Sequence, residues 1–456
     1  MEMSIEIKSA QQIRALLIAI MAAFIALPIA YAVSPPPDGG YPGGNTAEGQ
    51  TALFSLTTGG FNTAIGFFSL RSDTTGAYNT ATGAGALLAN TADQNTATGA
   101  GALLSNSTGG FNTANGSFAL LSNTTGESNT AIGVDALYSN TIGSNNTATG
   151  FAALDFNTTG SSNTAVGTSA LLLNTTGNHN TATGFQALFT NSGASDNTAY
   201  GYQALLHSIG GGNTGAGDQA LLSNSDGQYN TASGNGALFS NTHGTDNTAN
   251  GAFALQANTT GNGNIGLGAN AGGNVTTANN VICIGTSGAN VNDSCYIGSI
   301  FGQASSGGIS VSVNSDGKLG TTASSRRFKK EIKAMDQTSE AILALKPVTF
   351  HYKNDTSNAP QFGLVAEEVA EVDPNLVVRD KEGKPYSVRY DQVNAMLLNE
   401  FLKEHKAFLK EQKKVQRLEA ALTVVNQRLR EQDAKIEQVS AGIATNTTGP
   451  QVARVP

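Results

Sequence analysis

Asn163-Thr164-Ala165-Val166-Gly167-Thr168-Ser169-Ala170-Leu171, followed by the polar turn Asn174-Thr175-Thr176-Gly177, is one copy of the pattern that decides the fold. Its leading Asn recurs at 45, 62, 79, 95, 112, 129, 146, 163, 180, 197, 213, 230, 247, 264 and 280. The spacing is always 16 or 17. A short fixed period points to a solenoid, in which each unit forms one coil and buries its apolar side only against its neighbours. Leu stands eight positions after the Asn in every repeat from 45 to 247, as at Leu70, Leu137 and Leu188, and is expected to fill the interior. Gly stands four after the Asn from Gly49 through Gly66 and Gly83 to Gly268, as a corner needing positive φ or close backbone approach would require. The recurring Asn predicts side-chain ladders, each amide bonding to its equivalent one rung away. Fifteen such coils stacked at strand spacing would extend for about 70 Å. Helical repeats are the alternative, but so short a unit with a Gly-bounded turn leaves too little room for two helices.

With that pattern in view, Asn163-Thr164-Ala165-Val166-Gly167 and Asn129-Thr130-Ala131-Ile132-Gly133 resemble the head repeats of trimeric autotransporter adhesins. The resemblance covers about 45 to 300 and implies a left-handed parallel β-roll in a trimer. Those heads carry slightly shorter repeats, with Ser-Val in place of Thr-Ala.

Composition narrows the function. With 54 glycines, no Trp and 13% charged residues, the chain does not read as an ordinary globular enzyme. Between Arg14 and Lys318 the only Lys or Arg is Arg71, and the net charge is -8, which argues against nucleic acid as a partner. Cys283 and Cys295 are too few for a structural zinc site. They stand one residue out of phase when Val281-Ile282-Cys283-Ile284-Gly285 is aligned with Cys295-Tyr296-Ile297-Gly298, so a bridge would need a distorted loop. His179, His207 and His243 lack ligand spacing and read as solvated turn residues, and the N-x-T triplets arise from the repeat itself rather than as glycosylation signals. No cofactor or metal is expected.

Residues 1–32 hold the apolar run Ala15 to Ile29 and end on Ala30-Tyr31-Ala32, a secretory signal cleaved after Ala32. The alternative is a membrane anchor, since a run of about 18 apolar residues is just long enough to span. This places the protein outside the cell or on its surface, touching membrane only if the segment is retained. Residues 33–44, with Pro35-Pro36-Pro37, form a linker, 45–300 the repeats, and 301–323 a Gly- and Ser-rich neck.

At Ser324-Ser325-Arg326-Arg327-Phe328-Lys329-Lys330-Glu331-Ile332 the uncharged repeats give way to charged, non-repetitive chain. Three further stretches follow: Leu345-Lys346-Pro347-Val348-Thr349-Phe350-His351-Tyr352, Gly363-Leu364-Val365-Ala366-Glu367-Glu368-Val369 and Val388-Arg389-Tyr390. Taken in order, these four resemble the C-terminal intramolecular chaperone domain of phage endosialidases and tail spikes, over about 324 to 420. The resemblance implies an assembly factor that trimerises the fibre before it and then cuts itself off. Ser324 would attack the carbonyl of Ala323, with Lys329 as general base. A serine hydroxyl is a weak nucleophile until a base takes its proton, and a lysine is such a base only when neutral, which burial or nearby positive charge favours. Arg326, Arg327 and Lys330 supply like charge. The chain has Ser325 where the family commonly has Asp, a departure that bears on cleavage efficiency.

Residues 324–400 are expected to form this domain, with helix over 341–345 and 364–372, a strand over 348–352, and a hairpin of 377–379 with 386–390 around Glu382-Gly383. Glu367 reads either as an orienting group for the site or as part of a solvated helix face. From 401 to 441, Phe401, Phe408, Val415, Leu422, Leu429 and Ile436 recur at every seventh position. Leu397, Leu418, Val425 and Val439 form the second seam, and Glu404, Glu411 and Gln432 interrupt it, which together predict a coiled coil. Residues 442–456 read as a disordered tail. The expectation is a secreted or surface homotrimeric fibre or adhesin whose chaperone domain self-cleaves at Ala323-Ser324. The alternatives are a fibre that keeps its trimeriser attached and a phage tail fibre, which would need no signal segment.

Overall fold

The computed structural model describes residues 41–303, 306–314, 316–353, 355 and 357–446. The proposed signal at 1–32, the linker up to residue 40 and the tail from 447 lie outside the described residues. The chain divides into two compact units, the first ending at 304 and the second beginning at 305.

The first unit is a parallel β-solenoid. Sixteen short strands, from β1 (Thr46–Glu48) to β16 (Cys295–Ile297), pair in sequence order into a single sheet. Register is strict: Thr46 lies opposite Thr63 and Ala47 opposite Ala64, and equivalent positions face each other down the stack. In eleven of the sixteen strands the middle residue is a fully buried Ala, while the Thr before it and the residue after it point outward. The degraded repeat at Cys295 is thus a sixteenth rung. Ile282 pairs with Cys295 and Cys283 with Tyr296, so the two cysteines are out of phase as the spacing requires. They are unbridged, Cys283 buried and Cys295 exposed.

Each coil turns through left-handed backbone, and not only at glycine. Gly167 has φ of +128°, and a Cβ there would lie 2.5 Å from the carbonyl oxygen of Gly184 in the next coil. Both conditions exclude a side chain. The core leucines also take positive φ, from 46° at Leu70 to 55° at Leu221. Such a conformation costs a non-glycine residue about 1–2 kcal/mol, which burial of a whole Leu side chain, worth roughly 1.5–3 kcal/mol, offsets. The twelve leucines from Leu70 to Leu255 are fully buried. Their N–H groups donate to the Ala carbonyl of the following coil, as Leu103 does to Ala119 at 3.0 Å.

Two polar spines run beside this core. In the first, the leading Asn of most coils receives at Oδ1 the backbone N–H of the next leading Asn, 2.8 Å from Asn62 to Asn45, and sends its Nδ2 to a Gly or Ala carbonyl, such as Gly76 for Asn62. The second consists of the turn asparagines. Asn106, Asn123, Asn140, Asn157 and Asn174 each donate Nδ2 to Oδ1 of the preceding member at 2.7 to 2.8 Å. The amide-to-amide ladder therefore lies mainly in the N-T-T-G turns. In the main spine the oxygen serves the backbone of its neighbour. Asn123, Asn157, Asn174 and Asn258, all N-x-T asparagines, are fully buried, so folding closes them to modification. His179, His207 and His243 are exposed.

The second unit begins with a hairpin, β17 (Val311–Val313) against β18 (Leu319–Thr321). Only the first of these strands is legible in the sequence as an alternation. A 3-10 helix covers Asp336–Ala344, and β19 (Val348–Phe350) pairs antiparallel with β20 (Gln361–Gly363). Helix α1 spans Ala366–Val372 and ends before Asp373, whose side chain caps the short turn that follows. Then come the hairpin β21 (Val377–Arg379) with β22 (Pro385–Val388) and helix α2 (Tyr390–Asn446). Val369, Leu376, Val377, Val388 and Met396 form a small core under these elements. Helix α2 begins well before the expected coiled-coil boundary at 401 and continues past 441, where Ile443 extends the heptad seam.

Candidate functional site

Ser324 sits shortly after β18 and just before a 3-10 turn, Arg326–Phe328, with Ser325 extended at φ -65° and ψ 141°. Two bonds close the turn: Phe328 N–H to the Ser325 carbonyl at 3.0 Å and Lys329 N–H to the Arg326 carbonyl at 3.1 Å. This reversal carries Lys329 back toward Ser324. Its Nζ donates to Ser324 Oγ at 3.2 Å. The Arg327 guanidinium covers the Phe328 ring at 4.7 Å. Ala323, Ser324 and Lys329 are all exposed in the single chain, as are Phe328 and Ile332.

Leu364 N–H donates to Tyr390 Oη at 3.0 Å, tying the end of β20 to the start of α2. A Cβ at Gly363 would meet that hydroxyl at 2.8 Å, so a larger residue there would push the Tyr390 hydroxyl aside. Glu367 is exposed on α1, and among the described residues it makes no hydrogen bond to Ser324 or Lys329.

Residues 324–378 match the family model described as the chaperone of endosialidase. The chain therefore joins an endosialidase-type chaperone domain to a β-solenoid of repeats. No curated protein and no solved structure matches the chain. The match covers the junction, β19, β20, α1 and the start of the following hairpin, and stops before α2.

A cluster not legible in the sequence docks α2 onto the chaperone domain. Ser339, fully buried in the 3-10 helix, receives Nδ2 of Asn399 at 2.7 Å and donates to Glu400 Oε1. Lys403 Nζ lies 2.7 Å from Glu400 and 3.3 Å from Glu340. The hydrogen bond from Lys403, with that of Ser339, holds the Glu400 carboxyl below the usual carboxylate range, and Glu400 in turn raises Lys403. The partners stand far apart in the chain, so only the i, i+3 pair Glu400 and Lys403 left a trace in the sequence.

Beyond this clamp the heptad seam of α2 is exposed along the described residues. Phe401, Phe408, Val415, Leu422, Leu429 and Ile436 are 45–65% exposed along one seam, with Leu397, Leu418, Val425 and Val439 beside them. Among the described residues no helix is long and apolar enough to cross a membrane.

Proposed function

We propose that the chain is a homotrimeric fibre or adhesin whose C-terminal chaperone domain drives assembly and then severs itself at Ala323-Ser324. The observation that carries the cleavage is the 3.2 Å contact between Lys329 Nζ and Ser324 Oγ inside the family-matched segment. Assembly is supported by the family match and by the heptad seam of α2, which leaves large apolar side chains in water unless further copies cover them.

The chemistry balances without a cofactor. Neutral Lys329 takes the Ser324 hydroxyl proton as Oγ attacks the Ala323 carbonyl carbon. The C–N bond then breaks, the proton passes to the Ser324 nitrogen, and an ester joins Ala323 to Ser324 Oγ. Water hydrolyses that ester, leaving an Ala323 carboxylate and a free Ser324 hydroxyl. Lys329 must be neutral to begin, and desolvation favours that form. The pair is exposed in one chain. Packing of copies around it would supply the desolvation, so cleavage would follow assembly. Secretion rests on the apolar run before Ala32, and the fibre would then act outside the cell or at its surface.

Denaturing gels and N-terminal sequencing of the wild type, Ser324→Ala and Lys329→Met test this, with native mass measured in parallel. The wild type should release the fragment running from Ser324 to Pro456, and both variants should stay full length. A wild-type trimer that remains intact would refute self-cleavage and leave the trimeriser permanently attached. A monomer would refute assembly.

A further inference from the structure

One coil of the solenoid departs from its neighbours in several independent ways. Between Asn197 and Asn213 the repeat is short by one position, and the place of the turn asparagine is taken by Ser208. The Ser208 hydroxyl is turned toward the Gly210 carbonyl at 3.4 Å instead of to Asn191. As a result Asn191 Oδ1 and Asn197 Nδ2, both on fully buried residues, have no hydrogen-bond partner among the described residues. In the equivalent place near the end of the stack, Asn264 Nδ2 bonds Asn258 Oδ1 at 3.1 Å.

The backbone breaks at the same place. The turn rung passes from Thr158 to Thr175 at 3.0 Å and from Thr175 to Ser192 at 2.8 Å, and resumes from Ile209 to Ser225 at 2.7 Å. Among the described residues it does not run from Ser192 to Ile209. The turn itself is Gly210-Gly211-Gly212, whose ordering costs more chain entropy than the Thr-Thr-Gly found elsewhere. In the next strand, Gly215 replaces the core Ala and removes a methyl from the face that seals the coil.

Shortening accounts for the missing rung, which among the described residues is equally absent from Thr74 to Thr91 at the other short coil, but not for the side-chain losses. The coil from Asn79 is equally short, yet it keeps Asn90, which accepts from Asn95 at 3.1 Å and from Asn106 at 2.8 Å, and it keeps Ala81 in the core. In a solenoid, stability is a sum over nearest-neighbour contacts, so weak contacts gathered at one interface uncouple the coils on either side.

We infer that the coil from Asn197 to Gly212 is an opening point built into the solenoid, where it parts into two blocks that unfold separately. The inference is independent of the cleavage chemistry. Hydrogen exchange read by mass spectrometry on the full chain tests it. Peptides covering 205–216 should exchange on the order of tenfold or more faster than those covering 155–166 or the other short coil at 88–97. Ser208→Asn, a residue that the other short coil accommodates, should slow exchange toward that of the controls. Asn90→Ser should create a second fast coil at 88–97. Protection at 205–216 equal to the controls, or fast exchange that Ser208→Asn leaves unchanged, would overturn the inference.

Discussion

Replacing Asn157 by Ala probes the turn spine where it is most regular. Asn157 Nδ2 donates to Asn140 Oδ1 at 2.7 Å and to the Gly160 carbonyl at 2.9 Å, and its own Oδ1 accepts from Asn174 at 2.8 Å. The substitution removes all three bonds. It also leaves two groups of fully buried residues, Asn140 Oδ1 and Asn174 Nδ2, facing the space of the lost amide. Asn174 Nδ2 keeps its bond to the Gly177 carbonyl at 3.1 Å, so the stranded group is Asn140 Oδ1, and stranding one buried polar group should destabilise the local coil by about 1–3 kcal/mol. Because coils stabilise only their neighbours, the effect should fade within a coil or two. Hydrogen exchange of the full chain reads both the size and the reach. Protection should collapse in peptides covering 140–177 and stay near wild type at 88–106. A loss below about 0.5 kcal/mol, the range of ordinary surface substitutions, would refute the reasoning that these amides hold the stack. A loss spread evenly over all coils would refute its nearest-neighbour character.

Two further outcomes concern acid. Asp73 occupies the first amide position of the turn spine, where Asn90 and Asn79 donate to it, and burial, with the charge of Asp93, raises its carboxyl above the ordinary carboxylate range. The folded state thus binds this proton more tightly than the unfolded chain, so the coils around Asp73 should gain stability as pH falls through the raised value, with no further gain below the ordinary one. Asp73→Asn should flatten that dependence, measured as exchange protection at 62–95 against pH. Glu400 has the opposite sign: its carboxyl is held low, so the clamp on α2 is fully present above the ordinary carboxylate range and is lost as pH falls through the lowered value. Ser339→Ala should loosen the start of α2 from the 3-10 helix, since it removes the hydroxyl that joins Asn399 and Glu400 to it. Faster exchange at 336–344 and 393–403 would report it, and unchanged exchange would refute the clamp.

The solenoid was legible because chemistry repeated at fixed phase: Leu171, Gly167 and Asn163 each name their place by recurring in nearly every coil. Asn174 recurred almost as regularly, but a turn Asn is common enough that its buried role was masked by its neighbours Thr175 and Gly177. The left-handed backbone at Leu171 could not be read, since nothing in a leucine side chain favours positive φ and only the closed coil imposes it. In the second unit, motif order located Ser324 and Lys329. The 3-10 turn that brings them to 3.2 Å depends on backbone bonds that residue types do not announce. The Ser339 clamp was hidden for another reason: it joins residues far apart in sequence, and such pairs leave no local pattern.

Both asparagine spines have a direction. In each, the later coil donates and the earlier coil accepts, from the Asn62 N–H onto Asn45 and from Asn123 Nδ2 onto Asn106. In these two spines a coil just laid down therefore presents the oxygen acceptors, and the next stretch of chain brings the matching N–H groups, while backbone N–H groups such as that of Leu103 reach the other way, onto the following coil. Such a stack can grow like a polymer from its first-synthesised end, each addition templated by the last. The amide groups that hold the fibre together also give it an arrow that runs with synthesis, and the chaperone domain is made only after that growth has had its chance to finish.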